Sequence, residues 1–124
     1  MNFFPVTITE DGLRAAGGEG FLLAVPGQED KLKSRAGRRL IFGVRPEDLL
    51  LAERGEEGKT FQARIEVVEP LGAEIHLHAG VGGQSLIARV PPHRAFKVGD
   101  AVSFMPNPEK VIFFDPETEK SLSA

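Results

Sequence analysis

The sequence predicts an all-β sandwich or barrel, on three observations. Fourteen glycines and nine prolines cut the chain into short apolar runs separated by turn residues. Almost no segment sustains the 3.6-residue period of an amphipathic helix. The clearest run, TFQARIEVVE at 60–69, alternates with period two, setting Phe61, Ala63, Ile65 and Val67 on one face and Gln62, Arg64 and Glu66 on the other.

In chain order, strands are expected over 3–9, 20–25, 40–44, 60–69, 73–79, 85–90, 101–105 and 110–114. In 73–79, Ile75, Leu77 and Ala79 alternate with Glu74, His76 and His78. The glycines of AGVGGQ (79–84) suit a turn with positive φ, so 73–79 and 85–90 form a hairpin. The polar, charge-mixed stretch 27–39 reads as an exposed loop. In RPEDLLL (45–51), Pro46 suits a first helical position and Glu47 and Asp48 favour a helix N-terminus, so one short helical turn is expected. The tail 117–124 follows turn chemistry at Asp115-Pro116 and is expected to fray.

A length of 124 residues suits a single domain, 1–124, which buries roughly two-thirds of the surface its unfolded chain exposes. Without cysteine there are no disulfides and no thiolate metal sites. No apolar run reaches the roughly 18 residues of a membrane span, and the first twelve residues lack the pattern of a signal peptide. A net charge of −3 argues against non-specific nucleic-acid binding, which needs a basic surface.

Chemical motifs are sparse. Gly58-Lys59-Thr60 resembles the end of a phosphate-binding loop, but Glu53 stands where that loop needs glycine. Glu53, Glu56 and Glu57 would also repel a triphosphate, and a strand follows instead of a helix. Glu74, His76 and His78 share a strand face and form a candidate metal set; neighbours on one face stand about 7 Å apart, awkward for one ion, and a solvated surface is the alternative. Nucleophilic catalysis has no support: there is no Gly-x-Ser-x-Gly elbow, no cysteine and no motif around any serine. AGVGGQ precedes a strand, so it is not a dinucleotide-binding turn. Arg14, Lys31, Lys33, Arg35, Arg38 and Arg39 form the one basic cluster, without interleaved aromatics, and read as a solvated loop. No catalytic residue is assigned.

MNFFPV (1–6), FGVRPEDLLL (42–51), VVEPLGAE (67–74) and KVIFFDPETEKSL (110–122) resemble, in order and register, the C-terminal region of ATPase subunits of bacterial sugar ABC importers. These are the subunits serving maltose, multiple sugars and glycerol-3-phosphate. The match covers nearly the whole chain and is loose over 9–39 and 80–100. In that family the region is the transport-associated OB domain, so the resemblance implies an OB-like Greek-key barrel with an additional N-terminal β segment. It also implies a preceding nucleotide-binding domain, with Met1 an internal residue of a longer protein. Neither a P-loop nor an LSGGQ signature occurs here, so the chain itself is expected not to be an enzyme and to need no cofactor; ATP and Mg would belong to the full-length subunit.

The implied function is a regulatory and dimerisation domain on the cytoplasmic face of the membrane. Implied partners are a second copy of the subunit, the transporter's membrane subunits through the ATPase domain, and a regulatory protein. The alternative is an oxyanion-binding module of molybdate type, although no matching Ser-Ala-Arg-Asn-like string is present; a nucleic-acid OB domain comes third. The family motifs single out Phe4, Arg45, Pro46, Glu47, Glu69, Gly72, Glu74, Phe113 and Phe114. Arg45, Pro46 and Glu47 would turn a strand exit, Gly72 would mark a bulge where strands pass closely, and Glu69 and Glu74 would meet a partner or simply be surface charge. Phe113 and Phe114 are adjacent, so one faces outward, toward a partner or beneath the segment Phe3-Phe4.

Overall fold

The computed structural model describes residues 1–18, 20–52, 58–92 and 94–122. Its ten strands are β1 (Asn2–Ile8), β2 (Arg14–Ala16), β3 (Leu22–Ala24), β4 (Arg39–Val44), β5 (Leu49–Ala52), β6 (Phe61–Pro70), β7 (Ile75–Val81), β8 (Gln84–Val90), β9 (Ala101–Pro106) and β10 (Ile112–Phe114). They form two antiparallel sheets of five strands, ordered β10-β4-β1-β2-β3 and β5-β9-β6-β7-β8. In the second sheet, β6, β7 and β8 follow as a meander and β9 returns beside β6, which is the Greek-key order. Strands β5 and β8, at opposite ends of that order, lie close without a ladder between them, as in a partly open OB-like barrel. The additional N-terminal segment is a whole sheet, completed by β10 from the far end of the chain.

Rings clasp the two sheets together. Phe4, Phe42 and Phe113 from the first sheet, Phe21 from the loop before β3, and Phe61 and Phe104 from the second are all buried. Phe21 sits 5.1 Å from Phe4, 5.2 Å from Phe42 and 5.1 Å from Phe61, centroid to centroid, and Phe61 is 5.9 Å from Phe104. Such spacings are those of favourable aromatic pairs. Ile65, Leu77, Ala79, Leu86 and Ala88 extend this core from alternate positions of the second sheet.

Asn2 is the one buried polar residue among the described residues. Its Nδ2 donates to the Ile87 carbonyl at 2.8 Å, and its Oδ1 accepts from the Ile87 N–H at 2.8 Å. The side-chain amide thus pairs with the open edge of β8 as a neighbouring strand would, joining one sheet to the other.

Four expectations from the sequence need correction. Val67 does not share a face with Phe61, Ala63 and Ile65: a β-bulge between Ile65 and Val67 shifts the register by one residue and leaves Val67 47% exposed. Gly72 is not that bulge but a turn residue at φ 80° between β6 and β7, where an added Cβ would meet nothing within 4 Å. The stretch 27–39 is not wholly an exposed loop. It contains helix α1 (Glu29–Lys33), whose Leu32 is buried, while Gln28 Nε2 donates to the carbonyls of Pro108 and Val111 at 3.1 and 2.8 Å. The tail 117–124 is held as far as Leu122: Asp115 accepts from the N–H of Glu117 and Thr118, and the chain turns back so that the Leu122 N–H donates to the Phe113 carbonyl at 2.8 Å.

In RPEDLLL the helical turn is limited to a 3₁₀ turn, Pro46–Asp48, and the leucines become β5. Strand β2, of three residues, was too short to show a period. The β7–β8 hairpin turns at Gly82 and Gly83, with φ 54° and 81°, as the sequence indicates. Gly58 and Lys59 form a turn that runs into β6; Glu53, Glu56 and Glu57 lie outside the described residues.

Replacing Asn2 with alanine leaves the Ile87 amide without its partner. The expected loss is about 1–3 kcal/mol, read as a lower urea midpoint at unchanged slope.

Candidate interaction surfaces

With both inner faces committed to the core, the outer faces are what the molecule offers. Their chemistry differs. On the first sheet, the cross-strand rows facing outward are Phe3–Gly43–Ile112 and Pro5–Ile41–Phe114, followed by Leu22–Ala16–Thr7–Arg39. Phe3 is 54% exposed and its ring meets Phe114 edge-on at 5.8 Å. Gly43 is what lets this face lie flat. A Cβ there would come within 2.7 Å of the Phe114 ring and 3.1 Å of the Met1 sulfur. Charge enters at one end, where Arg38, Arg39, Asp115 and Glu117 line an open groove of about 820 Å³, and at exposed Arg14 on β2. An antiparallel sheet normally turns polar side chains to water, so an apolar outer face marks a surface suited to a partner.

The second sheet's outer face is charged. Glu74 holds Arg89 through two hydrogen bonds, 2.5 Å from Nε and 3.0 Å from Nη2, and accepts His76 Nε2 at 3.3 Å. The Arg89 guanidinium is the main reason the Glu74 carboxyl is held below the usual glutamate range. Glu47, on the 3₁₀ turn, lies 3.9 Å from Arg89 Nη1. This cluster reaches across the gap between β5 and β8; being exposed, it fixes geometry more than it stabilises. His78 Nε2 meets Glu69 Oε1 instead.

The residues singled out from the sequence therefore divide. Phe4 and Phe113 are core. Phe114 is the outward member of its pair and packs on Phe3. Arg45 is exposed and precedes the 3₁₀ turn begun by Pro46, as a strand exit requires. Glu47 and Glu74 come together on Arg89, which sequence reasoning missed: Glu74 meets Arg89 across the β7–β8 hairpin, while Glu47 arrives from the 3₁₀ turn before β5. Glu74, His76 and His78 do not converge: the two imidazoles face different carboxylates. Among the described residues no three metal-ligating side chains gather. Phe3, Pro5, Ile41 and Ile112 were also missed as a surface. Their signal was present in the runs FFPV, LIFGV and VIFF, which are apolar at both parities and so read as strands covered on both faces.

The fold defines a two-sheet module of OB type, and comparison with known proteins places it further. The profile described as TOBE domain matches residues 42–114, and that described as MalK OB fold domain matches residues 1–49. The chain belongs to the TOBE domain family. It is 34% identical to the sn-glycerol-3-phosphate import ATP-binding protein UgpC of Chromobacterium violaceum, over 98% of this chain and 32% of that protein. It is 35% identical to the oligosaccharides import ATP-binding protein MsmX of Bacillus subtilis, over 96% of this chain and 33% of that one. With the trehalose/maltose import ATP-binding protein MalK of Thermococcus litoralis it shares 34% identity over 98% of this chain and 34% of the relative. The chain thus spans about a third of the length of these relatives. Among solved structures, the cytoplasmic molybdate-binding protein ModG, with molybdate bound, superposes with a TM-score of 0.68 at 19% identity, covering 90% of this chain and 94% of that one; the likeness is one of fold.

Glu74 ionises more readily folded than unfolded, so its contribution is complete above the ordinary glutamate range and is lost as pH falls through the lowered folded value. Glu74→Gln is therefore expected to be less stable than the parent near neutral pH and to converge with it in acid. Melting temperatures of both from pH 7 downward check this.

Proposed function

We propose that this chain is the regulatory C-terminal domain of the ATP-binding subunit of a sugar ABC importer. In this reading it holds two such subunits together and presents a docking face to a regulatory protein. Membership of the TOBE domain family supports the first part, as do relatives named as import ATP-binding proteins. The observation that carries the docking face is the apolar outer side of the first sheet, centred on Phe3, Gly43 and Phe114.

The physical logic is that of a tether. Two ATPase domains whose C-terminal domains stay in contact remain at high effective concentration, so each closure on ATP is intramolecular. A regulator seated on the first sheet shifts the cycle only by binding one arrangement of the pair more tightly than the other. ATP and Mg belong to the ATPase domain, which also meets the membrane subunits at the cytoplasmic surface. The 124-residue domain contributes contacts and no bond-making.

Phe114→Asp in the full-length subunit tests the docking face. Uptake and ATP hydrolysis are expected to persist while their inhibition by a regulator is lost; loss of uptake itself, or unchanged inhibition, would refute the assignment. The oxyanion reading is tested by calorimetric titration of the chain with molybdate. No saturable heat is expected, and a saturable signal would replace the proposal.

A further inference from the structure

A crevice of about 320 Å³ lies where β3 and β4 of the first sheet come up to the end of β9 in the second. It reaches the core: Leu23, Phe42 and Val111, all buried, form its floor. Pro26, Pro106 and Pro108 stand around it and donate no N–H. One wall is braced, because Gln28 Nε2 donates to the carbonyls of Pro108 and Val111 at 3.1 and 2.8 Å. Met105 adds a flexible thioether. Among the described residues that line the crevice, Lys59 alone is charged. The Gly58 carbonyl accepts from the Ala24 N–H at 2.6 Å, which sets Lys59 beside β3, and Lys59 is exposed. Charge therefore marks the mouth, and apolar atoms the bottom.

That lining narrows the ligand by its chemistry. A phosphate or a sugar needs several hydrogen bonds, which three prolines and aliphatic side chains do not supply. A peptide segment brings an N–H and a C=O at nearly every residue, and burying them without partners is costly. An apolar body carrying one carboxylate meets neither objection. The geometry points to a binding site for a small monocarboxylic acid, its apolar body against Leu23, Phe42 and Val111 and its carboxylate at Lys59. The crevice falls at the lower end of the roughly 300–1,000 Å³ of small-molecule pockets, so the acid is a short one. The ion pair forms at an exposed position, where it governs the choice of head group more than the affinity. This site lies apart from the regulator face and does not depend on the function proposed above.

Hexanoate is the probe. The chain has two methionines, so a spectrum of methyl-labelled methionine holds two resonances: Met105 at the crevice, and Met1 beside Gly43 on the first sheet. Titration of the chain with hexanoate to about 10 mM, a range suited to weak binding, is expected to shift Met105 saturably and to leave Met1 in place. Lys59→Glu, at an exposed position, is expected to bind hexanoate several-fold more weakly and hexylammonium several-fold more tightly, while 1-hexanol binds both proteins alike. A Met105 resonance that stays still, or two resonances that drift together without saturating, would overturn the site. Equal affinity of wild type and Lys59→Glu for hexanoate would overturn the assignment of a carboxylate.

Discussion

Packing of phenylalanine rings between two sheets is the constraint on which everything else rests. Phe21, carried by a loop rather than a strand, touches rings from both sheets and fills the space where Phe4, Phe42 and Phe61 meet. Burial of each such side chain contributes about 1.5–3 kcal/mol, and these contributions stabilise the sandwich without disulfide or metal. The consequence is directional. Once the inner faces are bound to each other, all remaining chemistry must sit on the outer faces, the edges or the turns. The described residues accordingly offer open grooves and flat faces in place of a deep polar cleft.

The two outer faces differ in composition. The first sheet presents rings, proline, isoleucine and glycine, with charge at one end and on β2. The second presents carboxylates, imidazoles and guanidinium groups around two aliphatic side chains. A single domain with an apolar face on one side and a charge-patterned face on the other is able to hold two neighbours at once, without competition between them. Such an arrangement suits a component of an assembly in which one contact persists and another comes and goes.

Much of the fold was legible because strand periodicity is local. Residues 60–66 and 75–79 declared their inward and outward sides, and the glycines of 79–84 declared the turn into 85–90. What failed was non-local or short. A bulge adds one residue to a strand without changing its apolar pattern, so Val67 read as core. Strand β5 is only four residues long and follows helix-favouring Pro46-Glu47-Asp48, so its leucines had no signal of their own. The buried Leu32 was lost within a charged stretch because one apolar residue is enough to anchor a single helical turn. The surfaces were half legible: one of Phe113 and Phe114 was expected to face outward, but the neighbours of Phe114, Ile41 and Pro5, belong to strands some 70 and 110 residues earlier in the chain. Arg89 reaches Glu74 across the β7–β8 hairpin and Glu47 by closure of the barrel, and no linear spacing records the second contact.

The amide of Asn2 gives the molecule a mechanical linkage. Because it imitates a peptide group at the margin of β8, a displacement of β1 is transmitted directly to the far border of the other sheet. Tugging on the first strand strips that border of its guard and exposes an unpaired backbone, the kind of template on which foreign chains polymerise. One small side chain thus ties the start of the domain to an edge peptide of the opposite sheet.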